Sequence, residues 1–309
     1  MTAAPPQAVQ GRHALLKHGD PVHISFWIAA VLLTLALVRE LPLDRPASIA
    51  IATVVFIGGG LPHGAYDIAL LRRSMTLDRG ALVLAIGGYV AAAAAMAMLW
   101  VTVPLLALVA FLAVACVHFG EDWTMIDEPL LRIAAGAAIL AAPAIGHQAD
   151  VAHLFVAMSD ARAVQVARVL TAVAPVAFLV TAVGIMVAWR EGSRSWAAAM
   201  TLCLGLLVAA PPVFGFALFF VFLHSPRHLA HTRSLLRDMS VVRWLFTGAA
   251  LSIGAIAGWW LLQRMALAPR GGDLAAIAFQ LLATVAVPHL LLSRWVDRRL
   301  TEADTASSF

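Results

Sequence analysis

The sequence predicts an all-α fold: a polytopic transmembrane bundle of about 8–10 hydrophobic helices. Three observations predict it. Of 309 residues, 62% are hydrophobic and only 12% are charged, mean hydropathy is +0.89, and the apolar residues fall in long runs. Soluble domains are about 45–50% apolar and about 25% charged, so a soluble chain of this size could not bury that much apolar surface. The composition excludes a globular cytosolic enzyme, a disordered chain and a nucleic-acid reader. Outer-membrane barrels alternate polar and apolar residues, and long apolar runs argue against them.

Each element follows from spans of about 20 apolar residues. Helices are expected at 24–42, 47–71, 81–100, 104–123, 130–147, 168–189, 195–210, 211–227, 242–262 and 274–296. The stretch 195–227 is the ambiguous one. As one helix it would run about 50 Å at 1.5 Å per residue, but Pro211-Pro212 sits in its middle. Proline lacks the backbone donor and favours a helix's first turn, so a break is expected there.

The basic residues support that break. Twenty of the 21 are Arg; Lys17 is the exception. With the break, 15 fall on one side of the membrane and 6 on the other. The richer side holds Arg12 and Lys17, Arg72, Arg73 and Arg79, Arg132, Arg190 and Arg194, the four between Arg227 and Arg243, and Arg294, Arg298 and Arg299. Without it the split is 10 to 11. The positive-inside rule then puts both termini in the cytoplasm of a multi-pass protein of the cell (inner) membrane. The expected organisation is a polar extension over 1–23, a catalytic membrane domain over 24–296 and a polar tail over 297–309. The N-terminus has no cleavable-signal pattern. Net charge is +4 and the isoelectric point is near 9.8, yet no dense basic patch supports nucleic-acid binding. Cys116 and Cys203 lie inside apolar runs and read as small core residues, not a disulfide.

Eleven histidines carry the chemistry. His13, His18 and His23 belong to the polar N-terminus, and His147 and His153 to an outer loop. His63, His118, His224, His228 and His289 fall toward the C-terminal ends of even-numbered helices, so one depth near the cytoplasmic side is expected for all five. His231 follows just beyond. Buried ionisable groups in lipid are costly and usually functional, and neutral imidazole is a common ligand for Fe, Zn, Cu and Ni. His224 and His228 are spaced i,i+4, which places both on one helical face. His63 with Asp67 and His118 with Asp122 share that spacing, and a carboxylate one turn away can fix the tautomer of a metal-bound imidazole. Glu121 is a further neighbour of His118. Helix-disturbing residues accompany three of these histidines: Gly58-Gly59-Gly60 with Pro62, Pro226, and Pro288. Broken helices at membrane depth are tolerated where they line a cavity.

The segment Leu61-Pro62-His63-Gly64-Ala65-Tyr66-Asp67, then His118-Phe119-Gly120-Glu121-Asp122, then His224-Ser225-Pro226-Arg227-His228, then Pro288-His289 resembles the Brp/Blh family of integral-membrane β-carotene 15,15′-dioxygenases. The resemblance covers roughly 25–296. It implies cleavage of the central 15,15′ double bond of β-carotene by O2 to two molecules of all-trans-retinal. It also implies a non-haem Fe(2+) cofactor, with His63, His118, His224 and His228 as ligands. Asp67 and Asp122 would stand behind those ligands, with His289 as a ligand or a substrate-site residue. A retinal-binding microbial rhodopsin is the implied functional partner. Expected walls for the polyene are Tyr66, Trp123, Phe214, Phe216, Phe219, Phe220 and Phe222. Three other classes compete: a di-iron membrane desaturase or hydroxylase, hinted at by His224, His228 and His231; a metal or proton transporter; and a bis-His cytochrome b. The first needs about eight histidines, the second needs ionisable groups near mid-membrane, and the third needs axial histidines on facing helices.

Overall fold

The computed structural model describes residues 22–74, 79–269 and 273–306, and every regular element among them is helical. In chain order these are α1 (Ile24–Val38), α2 (Pro46–Gly60), a 3-10 turn (Leu61–Gly64), α3 (Asp67–Ser74), α4 (Arg79–Thr102), α5 (Pro104–Gly120), α6 (Pro129–Gly146), α7 (Gln148–Met158), α8 (Ala163–Arg190), α9 (Arg194–Ala209), α10 (Pro212–Phe219), a π turn (Phe220–His224), α11 (Ser225–Leu235), α12 (Val241–Arg264) and α13 (Leu274–Ala306). The fold is a polytopic helical bundle. Among the described residues, seven segments are long and apolar enough to cross a membrane: Pro46–Arg73, Arg79–Thr102, Pro129–Gly146, Ala163–Arg190, Pro212–Leu235, Val241–Arg264 and Leu274–Leu292. Ile24–Val38, Pro104–Gly120 and Arg194–Ala209 are apolar but shorter, about 22–26 Å at 1.5 Å per residue. These ten segments match the ten expected from sequence.

The chain ends α9 at Ala209 and restarts at Pro212, which stands in the first turn of α10. Pro46 and Pro129 open α2 and α6 in the same way, because the first helical N–H has no intrahelical partner to lose. Two elements depart from the sequence reading. Gln148–Met158, expected as loop, forms α7, whose Gln148, Asp150 and His153 mask any apolar period. The last helix continues past the expected limit at 296 to Ala306. His23 caps α1, its Nδ1 accepting from the Ser25 amide at 3.3 Å. His13, His18, Arg12, Lys17 and Arg270, and most of the expected 1–23 extension, lie outside the described residues.

The helices group into two compact units, each assembled from three chain segments. The first comprises Met1–Asp44, Leu112–Ala152 and Gln165–His224; the second comprises Arg45–Phe111, His153–Val164 and Ser225–Phe309. In the first unit α9 packs against α6, α1 and α10, burying Trp196, Met200, Cys203 and Leu207. Helix association in lipid gains little from the hydrophobic effect and relies on close packing of small residues. On α6 a Cβ added at Gly136 would lie 1.8 Å from the Cys116 carbonyl oxygen, and one at Gly146 would lie 1.9 Å from that of Val208. Only glycine permits either approach. Cys116 and Cys203 form no disulfide, as expected.

In the second unit α13 packs against α4, α2 and α3, and both α12 and α11 contact the 3-10 turn. Phe56 and Phe279 pack with ring centroids 4.8 Å apart and planes tilted by 32°. Gln280, buried in α13, donates to the Met158 carbonyl at 2.7 Å.

Candidate metal centre

Each unit gathers its own cluster of histidines and carboxylates. In the first unit, His118 occupies the last turn of α5, and Glu121 and Asp122 follow where that helix has ended at Gly120. A Cβ at Gly120 would come within 2.5 Å of the Arg132 carbonyl oxygen, so glycine lets the chain leave α5 tight against α6. Opposite stands His224, at the end of the π turn. Pro226 has no N–H for the carbonyl four residues back, at Phe222. The widened turn lies directly upstream of that lost bond, and such π segments recur at functional sites.

His118, Asp122 and His224 are all buried. His224 donates from Nδ1 to Asp122 at 2.7 Å, and His118 donates from Nδ1 to Glu121 at 3.1 Å. An imidazole whose Nδ1 donates to a carboxylate presents the lone pair of Nε2. The two Nε2 atoms are 3.1 Å apart. Two facing lone pairs repel at that distance unless a cation, either a proton or a metal ion, lies between them. Metal–imidazole bonds of about 2.0–2.1 Å at right angles put two ring nitrogens ~3 Å apart. The donor set fits a divalent transition metal: neutral nitrogens oriented from behind by carboxylates.

An apolar shell surrounds this pair. Phe119 sits 4.9 Å from Phe219 and 5.2 Å from His224. Phe216 stacks on Phe220 at 5.6 Å, and Phe220 on His224 at 5.3 Å. Of the expected walls, Phe216, Phe219 and Phe220 thus gather beside the imidazole, together with Phe119, which sequence reasoning did not single out. Trp123 is fully buried against Trp196, 6.0 Å away, and against Gly184.

In the second unit, Gly58-Gly59-Gly60 ends α2, and Pro62 is the second residue of the 3-10 turn that carries His63. His63 donates from Nδ1 to the Gly60 carbonyl. His228 lies in α11 and His289 in α13, immediately after Pro288. The His63 ring centroid is 5.2 Å from that of His289 and 5.9 Å from that of His228, and the latter two are 6.4 Å apart. A Cβ at Gly64 would stand 3.4 Å from His289 Nδ1, in contact with the ring. Asp67, buried at the start of α3, accepts from His289 Nδ1 at 2.9 and 2.8 Å on its two oxygens. Tyr66 stacks on Trp244 at 3.7 Å and donates to its carbonyl at 3.0 Å. His231 is exposed on α11, and His153 is 73% exposed beside Asp273.

Each carboxylate hydrogen-bonds a histidine far from it in sequence. Asp67 holds His289 and Asp122 holds His224. Both i,i+4 inferences presumed an unbroken helix, but the 3-10 turn carrying His63 ends at Gly64 and α5 ends at Gly120, each between the paired residues. Sequence reasoning also passed over Tyr89, whose hydroxyl donates to Asp67 at 3.3 Å. The available signal was scarcity: the chain has two tyrosines, and this one lies within an apolar span.

Known proteins point the same way. The chain is 28% identical over 352 residues to the Halobacterium salinarum protein named "Probable beta-carotene 15,15'-dioxygenase Blh", covering 96% of this chain and 97% of that one. It is also 28% identical over 268 residues to a "Beta-carotene 15,15'-dioxygenase" of the uncultured marine bacterium 66A03, covering 81% and 93%. No solved structure matches. The family model for beta-carotene 15,15′-dioxygenase matches residues 52–297, a stretch that includes every histidine and carboxylate of both clusters. On that match the chain belongs to the beta-carotene 15,15′-dioxygenase family and is a carotenoid-cleaving dioxygenase.

Proposed function

We propose that the chain cleaves the central 15,15′ double bond of β-carotene with O2, giving two molecules of all-trans-retinal, and that Fe(2+) held by His63, His118, His224 and His228 is its cofactor. The observation carrying the reading is the His118–His224 pair, with Nε2 atoms 3.1 Å apart and carboxylates on the opposite ring nitrogens. The reaction balances without a further reductant. The C15–C15′ double bond and the O–O bond break, two C=O bonds form, and each retinal keeps one oxygen. Bound iron supplies the one-electron chemistry by which O2 reacts with a closed-shell polyene.

The protein's own residues do the rest. Asp122 and Glu121 hold the His224 and His118 rings, and Asp67 holds the His289 ring. Four neutral imidazoles leave the metal its full 2+ charge. Phe119, Phe216, Phe219 and Phe220 give the polyene an apolar surface and keep water out, which limits side reactions of activated oxygen. Cleavage at one bond among many requires the cavity to fix how far the substrate slides in. Tyr66 and Trp123 stay candidates for that wall.

The catalytic domain spans 24–296 in the cell inner membrane, with both termini cytoplasmic, a reading supported by the 15-to-6 division of basic residues. The bilayer delivers the carotenoid, and a retinal-binding microbial rhodopsin consumes the product. A di-iron site draws less support, because His231, which it would recruit, is exposed. Expression in a β-carotene-producing bacterium tests the reading. Loss of orange colour with retinal appearing supports it; unchanged carotenoid overturns it.

A further inference from the structure

The second unit contains a hydrogen-bonded chain that runs from one of the two tyrosines to a histidine of the cluster. Tyr89 lies about three turns into α4, directly after Gly87-Gly88, Asp67 opens α3, and His289 follows Pro288 in α13; α13 packs on both α4 and α3. The Tyr89 hydroxyl donates to Asp67 Oδ2 at 3.3 Å. His289 Nδ1 donates to both oxygens of the same carboxylate, at 2.9 and 2.8 Å. Asp67 and His289 are each 6% exposed.

A carboxylate buried among apolar helices is costly unless its lone pairs are engaged. Asp67 gains from the N-terminus of α3, where the helix dipole favours negative charge, and from two side-chain donors. The terminal carboxylate torsion is intrinsically broad, and His289 contacts both oxygens almost equally, so it does little to choose the carboxylate plane. Tyr89 touches one oxygen only and therefore chooses it. A fixed carboxylate keeps the proton of His289 on Nδ1 and leaves Nε2 as the ligating nitrogen. That ring stands edge-on to His63 at 5.2 Å and an interplanar angle of 87°.

We propose that His289 is an additional iron ligand and that Tyr89 is its positioning residue, acting through Asp67. The proposal rests on the iron reading above. A tyrosine used only for packing would affect folding; a positioning tyrosine affects the metal.

The test is Fe(2+) affinity of the full chain in detergent, measured anaerobically by chelator competition, with the melting temperature of the metal-free protein in parallel. Asp67→Asn should weaken iron binding by about 10–100-fold. Tyr89→Phe keeps the ring and should weaken it several-fold, with the metal-free melting temperature only slightly lowered by the loss of one donor to a buried carboxylate. In the Asp67→Asn background, Tyr89→Phe should cost nothing further, because the residue it acts through is already lost. Wild-type affinity in Tyr89→Phe, or an additive loss in the double variant, overturns the proposal while His63→Ala still abolishes iron binding. A wild-type chain that binds no iron overturns the iron reading and this proposal together.

Discussion

His224 and Asp122, 102 residues apart in sequence, form a buried 2.7 Å hydrogen bond from Nδ1 to a carboxylate oxygen. The bond turns His224 Nε2 toward His118 Nε2 and away from Asp122. It converts two side chains that would each be costly in lipid into one oriented ligand.

Asp122→Asn should weaken Fe(2+) binding by about 10–100-fold, the usual cost of losing a carboxylate behind a ligating imidazole. Asparagine keeps the shape but loses the charge and has an amide donor that can face the ring. Chelator competition on the purified protein reads the effect. Wild-type affinity would refute the role given to Asp122.

His63→Ala and His228→Ala should each abolish iron binding and retinal formation while the protein still inserts in the membrane. Metal analysis per chain, product chromatography and membrane fractionation together check this. Full retinal formation by either variant would sink the ligand assignment.

Gly136→Ala should destabilise the first unit by about 1–3 kcal/mol or more, the range for overpacking. The new Cβ would lie 1.8 Å from the Cys116 carbonyl oxygen, and backbone cannot swing aside as a long side chain can. The melting temperature in detergent should fall. Gly87→Ala is the control, since its Cβ would meet nothing within 4 Å.

Asp238, which lies outside the spanning segments, supplies a pH-dependent contact. Its hydrogen bond with the Arg73 guanidinium, and then the charge of that group, hold its carboxyl below the ordinary value. A lowered carboxyl stabilises the fold above its unfolded pKa, about 3.9, and that contribution disappears as pH falls through the lowered value. Both groups are exposed, so the effect on stability should be small. Arg73→Gln should move the Asp238 titration upward, as read by carboxyl NMR of Asp-labelled protein; an unmoved titration would refute the pairing.

The sequence alone determined the membrane class, because 62% hydrophobic residues in long runs have no soluble solution. It determined the break at Pro211-Pro212 as well, since proline acts on its own backbone without help from distant residues. The candidate histidines were legible because imidazoles are costly in apolar helices wherever the helices pack. Partner choice was not legible. The i,i+4 spacing of His63 with Asp67 and of His118 with Asp122 holds only along a continuous helix, and the 3-10 turn carrying His63 ends at Gly64 and α5 at Gly120. Once the helix stops, a carboxylate's neighbour is set by which other helix packs beside it. That is how Asp67 meets His289 from 222 residues away and how Tyr89 joins them from α4. The tertiary structure decided those pairings because hydrogen bonds depend on distance in space, and the local pattern of a sequence specifies only what lies along one helix.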